Sequence, residues 1–225
     1  MAALLALMAA TVGRADILQP TVILPPPGGV YTFGPVCLSN PSIMLDRCLE
    51  NTLISGLTTI TDNEIGGNEV VTASANYSAN VYTDNSGTPG TFLGNLLMTG
   101  TIDVTYIGRD PAINPLGTFT TDVTDFDFTG MLNGNTIEFV QNPGIPSTGS
   151  TTILVNSVTP IVEYSVSSSV DLNGEYNFNN TGLMTAPVRT ATLTGVPEPG
   201  TETAVGSVLL LLGIASRRFR TRPRV

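Results

Sequence analysis

The feature that most constrains the fold of this chain is a strict alternation of apolar and polar side chains. A β-strand with one buried face has a period of two residues, whereas a helix repeats every 3.6 residues. No segment of real length with the helical period appears between Thr52 and Thr194. The clearest alternating run has apolar residues at successive odd positions: Val71, Ala73, Ala75, Tyr77, Ala79 and Val81.

Further alternating runs follow this one along the chain. A second run begins at Phe92, which we place on its apolar face. The next run changes its apolar face from odd positions, at Phe119 and Val123, to even positions, at Phe126 and Phe128. This change predicts a β-bulge between the two pairs. Alternating strands joined by glycine-rich turns predict an all-β fold, as an antiparallel β-sandwich or jelly-roll-like domain.

Two Asn-Gly pairs predict turns between strands. Asn133-Gly134 favours a type I′ hairpin, because a two-residue turn there places Phe128 opposite Phe139 and the two apolar faces agree. The same turn at residues 173–174 would bring an apolar residue opposite a glutamate. For that second pair we therefore predict a three-residue loop, which places Leu172 opposite Tyr176 and Val170 opposite Phe178.

The charge of the chain excludes several classes of function. From Asp16 to Gly200 there are 3 arginines and 17 acidic residues, so the net charge is 3 − 17 = −14. Such an acidic body does not bind nucleic acid by counterion release.

The chain has no histidine and no lysine, which excludes Ser-His-Asp and Cys-His catalysis, most zinc and haem sites, and Schiff-base chemistry. We predict a protein that is not an enzyme and has no cofactor.

Carboxylates are the remaining side chains that could bind a metal ion or act in catalysis. Asp122, Asp125 and Asp127 cluster near the predicted bulge, and Glu138 lies across the predicted hairpin. Oxygen ligands of this kind hold Ca²⁺, with Asp125 and Asp127 as the candidates, and a carboxylate pair can also hydrolyse glycosides. The alternation directs Asp125 and Asp127 away from the face of Phe126. It therefore favours a solvated acidic face over a metal or catalytic site.

The two cysteines, Cys37 and Cys48, form an even pair. In an exported chain such a pair favours a disulfide, which would contribute about 2–4 kcal/mol, and two free buried thiols are the alternative. The residues Ile43-Met44-Leu45 between them are compatible with a short helix or an irregular loop.

The first residues of the chain have the pattern of a secretory signal peptide. An apolar stretch covers residues 1–12, and Gly13 and Ala15 are small residues at positions −3 and −1 of a cut before Asp16. A buried N-terminal helix is the alternative. Residues 16–35, which include Pro25-Pro26-Pro27, indicate an extended lead-in.

The C-terminal segment carries the most specific pattern. Pro197-Glu198-Pro199 precedes an apolar run at positions 204–215. The two prolines keep the backbone extended, so that a peptide-binding groove can recognise Glu198. The apolar run predicts a transmembrane helix, because only a helix satisfies its own backbone groups in lipid. The arginines that follow predict a stop signal on the cytoplasmic side: Arg217, Arg218, Arg220 and Arg222.

This order of motif, apolar helix and arginine cluster resembles the PEP-CTERM sorting signal, a segment also labelled as an ice-binding protein C-terminal domain. The resemblance covers residues 196–225. It implies that exosortase, an integral-membrane cysteine transpeptidase, recognises Pro197, Glu198 and Pro199. It also implies export by a bacterium that makes extracellular polysaccharide, passage through the inner membrane, and a final place at the cell surface or outside the cell.

Together these patterns divide the chain into a signal peptide (1–15), a lead-in with the cysteine pair (16–50), a β-sandwich domain (51–195) and the sorting segment (196–225). We expect an exported surface or extracellular-matrix protein with a structural, non-catalytic role. The alternative is a secreted module that binds polysaccharide or calcium. The threonine-rich stretches at 58–61 and 118–121 are scattered and do not predict the flat array that ice binding requires.

Overall fold

The computed structural model of the chain describes residues 22–40, 45–157, 163–179 and 181–197. These ranges contain twelve β-strands and no helix. The strands are β1 (Tyr31–Phe33), β2 (Val36–Asn40), β3 (Leu45–Ile65), β4 (Asn68–Asp84), β5 (Pro89–Ile107), β6 (Gly117–Leu132), β7 (Asn135–Gln141), β8 (Ser147–Ser157), β9 (Glu163–Leu172), β10 (Gly174–Phe178), β11 (Leu183–Thr185) and β12 (Arg189–Pro197).

All described strands belong to one antiparallel sheet, which confirms the all-β prediction. Following the hydrogen-bonded neighbours from β6 through β5, β4, β3, β1, β12, β9 and β8 leads back to β6, so eight strands form a closed circuit. Strands β7, β10 and β11 branch from β6, and β2 pairs with β3. The helices predicted for the two ends of the chain lie outside the described residues.

The predicted bulge in β6 is confirmed. Asp103 pairs with Asp125 and the next residue, Val104, pairs with Val123, so Thr124 is the extra residue. On one side of the bulge, residues 117–123 pair with β8, and on the other side residues 127–132 pair with β7. The bulge therefore marks the point where β6 passes from the closed circuit to the branch.

The first Asn-Gly hairpin is also confirmed. Phe128 pairs with Phe139 across β6 and β7, as the apolar pattern requires. Asn133 and Gly134 have φ angles of 51° and 82°, which a type I′ turn needs at both of its central positions.

The second predicted hairpin is wrong. Leu172 pairs with Arg189 on β12, and Tyr176 pairs with Phe139 on β7, so β9 and β10 are not partners. Asn173 lies between these two strands. Its backbone N–H donates to the Ser147 hydroxyl at 2.8 Å, and its side-chain amide donates to a backbone carbonyl at 2.7 Å. An alternating strand can pair with any strand that has a matching apolar face. In the folded chain β9 pairs with β12 and β10 pairs with β7, so the two strands do not pair with each other.

The buried faces follow the alternation, with one exception. All six odd positions from Val71 to Val81 are buried. Phe92, which we expected on the apolar face of β5, is 51% exposed and packs edge-on against Tyr82. The pairing of β4 with β5 skips Leu93 between Val81 and Tyr82, and this extra residue turns Phe92 to the outer face.

The described part of the lead-in contributes to the same sheet. Strand β1 pairs with β3 and β12, and β2 pairs with β3. The boundary that we placed after residue 50 falls within β3, and Val22 and Leu24 are buried in the core. Cys37 and Cys48 are cross-strand partners in a pair of strands, rather than parts of a helix or an irregular loop. Of the segment Ile43-Met44-Leu45, for which we predicted a short helix or an irregular loop, Leu45 begins β3. Residues 41–44 lie outside the described ranges.

Candidate functional site

The sorting motif lies mostly beyond the described residues. Strand β12 runs to Pro197, whose backbone pairs with Ser165 of β9. Glu198 and Pro199 are outside the described ranges, and so are the arginines of the membrane stop signal: Arg217, Arg218, Arg220 and Arg222. Among the residues that the structure describes, no helix has the length and apolar character needed to span a bilayer.

The cysteine pair is a disulfide. Cys37 and Cys48 are bonded, which removes the alternative of two free thiols. Asp84 lies beside them, and these three side chains are the one group of three His, Cys, Asp or Glu ligand atoms within 4.8 Å of one another in the described ranges. Because the two sulfurs are bonded to each other, they are not thiolates, and the group is a poor metal site.

The candidate calcium ligands are on the outer face of the sheet, away from the Phe126 side, as predicted. Asp125 and Asp127 are exposed. Asp125 is paired with Asp103, and Asp127 is paired with Thr101. Because no third acidic ligand atom of the described residues joins them within 4.8 Å, the geometry does not assemble a calcium cage there.

The acids near these candidates have other neighbours. Glu138 accepts a hydrogen bond from the amide of Asn177 at 2.9 Å. Asp122 pairs with Thr105 on β5 and with Thr148 on β8, on the other side of the bulge from Asp125. The structure therefore does not bring the four predicted carboxylates together into one site.

The three arginines of the body occupy three different environments, and the first is a buried ion pair. Arg109 and Glu69 form a salt bridge at 0% and 1% exposure. Arg109 also donates to the carbonyls of Val22, at 2.7 Å, and Pro115, at 3.5 Å. Burial raises the pKa of Glu69, although Arg109 acts in the opposite direction. The pair holds the β5–β6 connection against the start of the described chain.

The second arginine lies among hydroxyl groups and aromatic rings. Arg189 donates to the Tyr77 hydroxyl at 3.1 Å and to the carbonyl of Gly34 at 2.5 Å. Its guanidinium is 5.0 Å from the centre of the Phe33 ring, within cation–π distance. The Tyr77 hydroxyl is hydrogen-bonded to that of Tyr176 at 2.6 Å. Burial raises the pKa of both tyrosines, so both hydroxyls stay neutral and the network is structural.

The third arginine lines an open groove of about 270 Å³ at one end of the sheet, and we call this the Arg47 groove. Arg47 is partly exposed and donates one hydrogen bond, from Nη1 to the carbonyl of Asp46 at 2.7 Å. No carboxylate of the described residues forms an ion pair with it. The rest of the wall is amide, hydroxyl and apolar: Leu93, Leu132, Asn133, Asn135, Ile137, Phe178, Asn179 and Thr181.

Turn geometry positions the polar wall of the groove. Asn133 begins the β6–β7 turn, and its side-chain amide donates to the carbonyl of Leu93 at 3.0 Å. Asn179 follows β10 with a φ of 53°, and its backbone N–H donates to the carbonyl of Thr136 at 2.7 Å. Asn135 and Asn179 are exposed, and their side-chain amides form no hydrogen bond with the described residues. These amides are therefore available to a ligand.

A second cavity lies inside the closed circuit and is small. Its volume is about 30 Å³, and its wall is almost entirely apolar, with side chains from β1, β3, β5, β6, β9 and β12. A volume of this size holds about one water molecule, and apolar walls give that water few partners. The cavity is a packing gap and not a substrate site.

Sequence reasoning did not identify the Arg47 groove. Its members come from β3, β5, β6, β7 and β10 and the turns after them, so no local motif joins them. One signal was present: the body has only Arg47, Arg109 and Arg189 as basic residues. Which of the three is exposed depends on the tertiary structure.

Comparison with known proteins identifies no relative. No protein-family model matches the chain, and neither the curated proteins nor the solved structures contain a match. The described residues define an all-β, antiparallel domain with one disulfide, and the Arg47 groove is an open, partly polar cavity on that domain.

Proposed function

We propose that this chain is an exported bacterial surface or extracellular-matrix protein that exosortase processes through its C-terminal Pro-Glu-Pro signal. The observation that carries the proposal is the order Pro197-Glu198-Pro199, apolar run, arginine cluster in residues 196–225. In this proposal the inner membrane holds the chain during sorting, and the mature protein then lies on the cell surface or outside the cell. Its role there is structural and non-catalytic.

Two features of the described residues support export. Cys37 and Cys48 form a disulfide, a bond that persists in oxidising compartments and is rare in the cytosol. Strand β12 ends at Pro197, which is also the first residue of the motif, so the described sheet ends where the proposed sorting signal begins.

The proposal includes a β-sandwich arrangement of the domain. The ring centres of Tyr77 on β4 and Phe139 on β7 are 5.3 Å apart, and the Tyr77 hydroxyl is hydrogen-bonded to the hydroxyl of Tyr176 on β10. Strand β4 is nevertheless not a hydrogen-bonded neighbour of β7 or β10 in the sheet. These contacts support two layers of one continuous sheet that face each other across the core, as in a sandwich.

The first experiment is mass spectrometry of both ends of the mature protein, purified from its native host. We expect a start at Asp16 and an end near Pro199. A Glu198→Gln variant should keep its arginine-rich tail, whereas the control variant Glu202→Gln, which leaves the motif intact, should be processed like the wild type. A wild-type protein that retains Arg217 to Arg224 would contradict the proposal.

A second candidate function is a secreted module that binds polysaccharide. The observation that favours it is the Arg47 groove, where a guanidinium without a carboxylate partner, free amides and apolar side chains line one open cavity. Sites for small ligands combine these elements, with apolar walls for contact area and a few polar groups for orientation. Calcium is an alternative ligand for such a module. If Ca²⁺ binds the folded protein, the midpoint of thermal unfolding should be higher with Ca²⁺ than without it.

A further inference from the structure

We propose that the Arg47 groove binds the carboxylate of an acidic saccharide, such as a hexuronic acid residue in a polymer. The inference rests on the second function proposed above and names its site and its ligand class.

Among the described residues, Arg47 is the one cationic side chain that an anion can reach from an open cavity. Histidine and lysine are absent from the sequence. Arg109 is fully buried against Glu69, and Arg189 is buried among tyrosines and carbonyls. Of the arginines in the described ranges, Arg47 alone faces an open cavity, and its Nη2 and Nε atoms form no bond with those residues.

The charges at and around Arg47 limit the charge of the ligand. A single guanidinium offers two parallel N–H groups, which match the two oxygens of one carboxylate. The body around it has a net charge of −14 between Asp16 and Gly200, which disfavours a group with more negative charge than one guanidinium neutralises. A carboxylate, with one negative charge, therefore fits the groove better than a phosphate monoester, which carries about 1.5 to 2 negative charges at pH 7.

The remaining side chains of the groove suit the uncharged part of a sugar. Amide groups both donate and accept hydrogen bonds, and the free amides of Asn135 and Asn179 therefore suit hydroxyl groups. Leu93, Ile137 and Phe178 line the same cavity and offer an apolar surface to the C–H face of a ring. A carboxylate, several hydroxyls and an apolar ring face occur together in a uronic acid.

The test is isothermal titration of the purified, disulfide-bonded protein with an oligogalacturonate. The matched ligand control is the same oligomer as its methyl ester, which keeps the sugar and removes the charge. We expect the acid to bind about 10- to 100-fold more tightly than the ester, the range for one charge-assisted hydrogen-bonded pair. Inorganic phosphate serves as a simple anion and should bind more weakly than the acid.

Three variants locate the site. Arg47→Gln should lose the preference for the acid over the ester, and Asn135→Ala should weaken binding of both oligomers. Asn76→Ala removes an exposed amide from β4, outside the groove, and should bind like the wild type. Circular dichroism checks that each variant is folded.

Two results would overturn the inference. Equal binding of acid and ester, or unchanged binding by Arg47→Gln, would show that the guanidinium does not select a carboxylate, although a saccharide-binding function would stand. If neither oligomer binds, the second proposed function falls as well. The sorting proposal is separate, because the chain ends measured by mass spectrometry decide it.

Discussion

At the residue scale, burial decides what each arginine of the body does. Arg109 neutralises a buried carboxylate, Arg189 donates from its two Nη atoms to a hydroxyl and a carbonyl while its buried Nε has no partner among the described residues, and Arg47 keeps free donors in an open groove. A buried charge without partners costs several kcal/mol, so the first two side chains are structural by necessity. The third is the one available for binding.

Loss of Arg109 should strongly destabilise the fold. In Arg109→Leu, Glu69 would lose its partner in the core, and the carbonyls of Val22 and Pro115 would lose a donor. We expect the free energy of unfolding to fall by about 3–5 kcal/mol, the usual cost of breaking a buried pair. Urea denaturation followed by circular dichroism measures the change.

The double variant Glu69→Leu/Arg109→Leu is the control for this prediction. Replacement of both partners by apolar side chains removes the unpaired charge, so the double variant should recover part of the loss. An Arg109→Leu protein within about 1 kcal/mol of the wild type, the size of an exposed pair, would contradict this view of the contact.

At the element scale, glycines allow the strands of the closed circuit to approach each other. Gly100 of β5 lies opposite Phe128 of β6, and Gly130 of β6 lies opposite Met98 of β5. A Cβ added at Gly100 would collide with the carbonyl oxygen of Asp127, and one at Gly130 would collide with the carbonyl oxygen of Leu97. A glycine inside a strand marks such a close backbone approach.

Gly100→Ala should therefore destabilise the pairing of β5 with β6. The clash is with backbone and cannot be relieved by a side-chain rotation, so we expect a loss of about 3 kcal/mol, at the upper end for overpacked cores. Gly34→Ala is the matched control, because its Cβ would meet no atom within 4 Å. The free energy of unfolding, measured in urea, should be clearly lower for Gly100→Ala than for Gly34→Ala. Equal values for the two variants would show that β5 and β6 can move apart to admit the methyl group without loss of stability.

The outer face of the strands also has an order that the sequence does not reveal. Threonines and serines that are distant in the chain become cross-strand neighbours in one exposed row: Thr120, Ser150, Ser169, Thr192 and Thr32. Of the two threonine-rich stretches at 58–61 and 118–121, only Thr120 belongs to this row. Register between distant strands, which no local pattern contains, creates the row.

At the scale of the whole molecule, the core holds most of the tyrosines as neutral groups. Burial raises the pKa of Tyr31 to about 12, and it raises those of four others as well: Tyr77, Tyr106, Tyr164 and Tyr176. The ordinary pKa of a tyrosine hydroxyl in water is about 10. A phenol with a raised pKa in the folded state stabilises the fold fully below pH 10 and loses that contribution as the pH rises through its folded pKa.

The protein should therefore unfold cooperatively in alkali, above pH 10 and by about pH 12. Tyrosinate absorbance and the β-sheet circular dichroism should change together, because the buried phenols ionise when the core opens. The urea-unfolded protein is the control, and its tyrosines should titrate near their unperturbed value of about 10. Full tyrosinate absorbance near that value with the β-sheet signal unchanged would contradict the burial.

The features that the sequence determined are those with local causes. The alternation from Val71 to Val81 specified a strand and its buried face, because neighbouring side chains of a strand point to opposite sides. The change of parity after Val123 specified the bulge, and Asn133-Gly134 specified its hairpin through the positive φ that both positions adopt. Each of these depends on a few consecutive residues.

Tertiary structure decided which strands become neighbours when no short turn joins them. An apolar face packs against any other apolar face, so the pattern around Asn173 was equally compatible with a hairpin and with the observed separation of β9 from β10. The same is true of the Arg47 groove, whose wall combines residues from five strands. Arg109 and Arg189 become buried only when the whole sheet has closed around its core. The tertiary structure therefore determines that Arg47 is the arginine of the three that stays accessible.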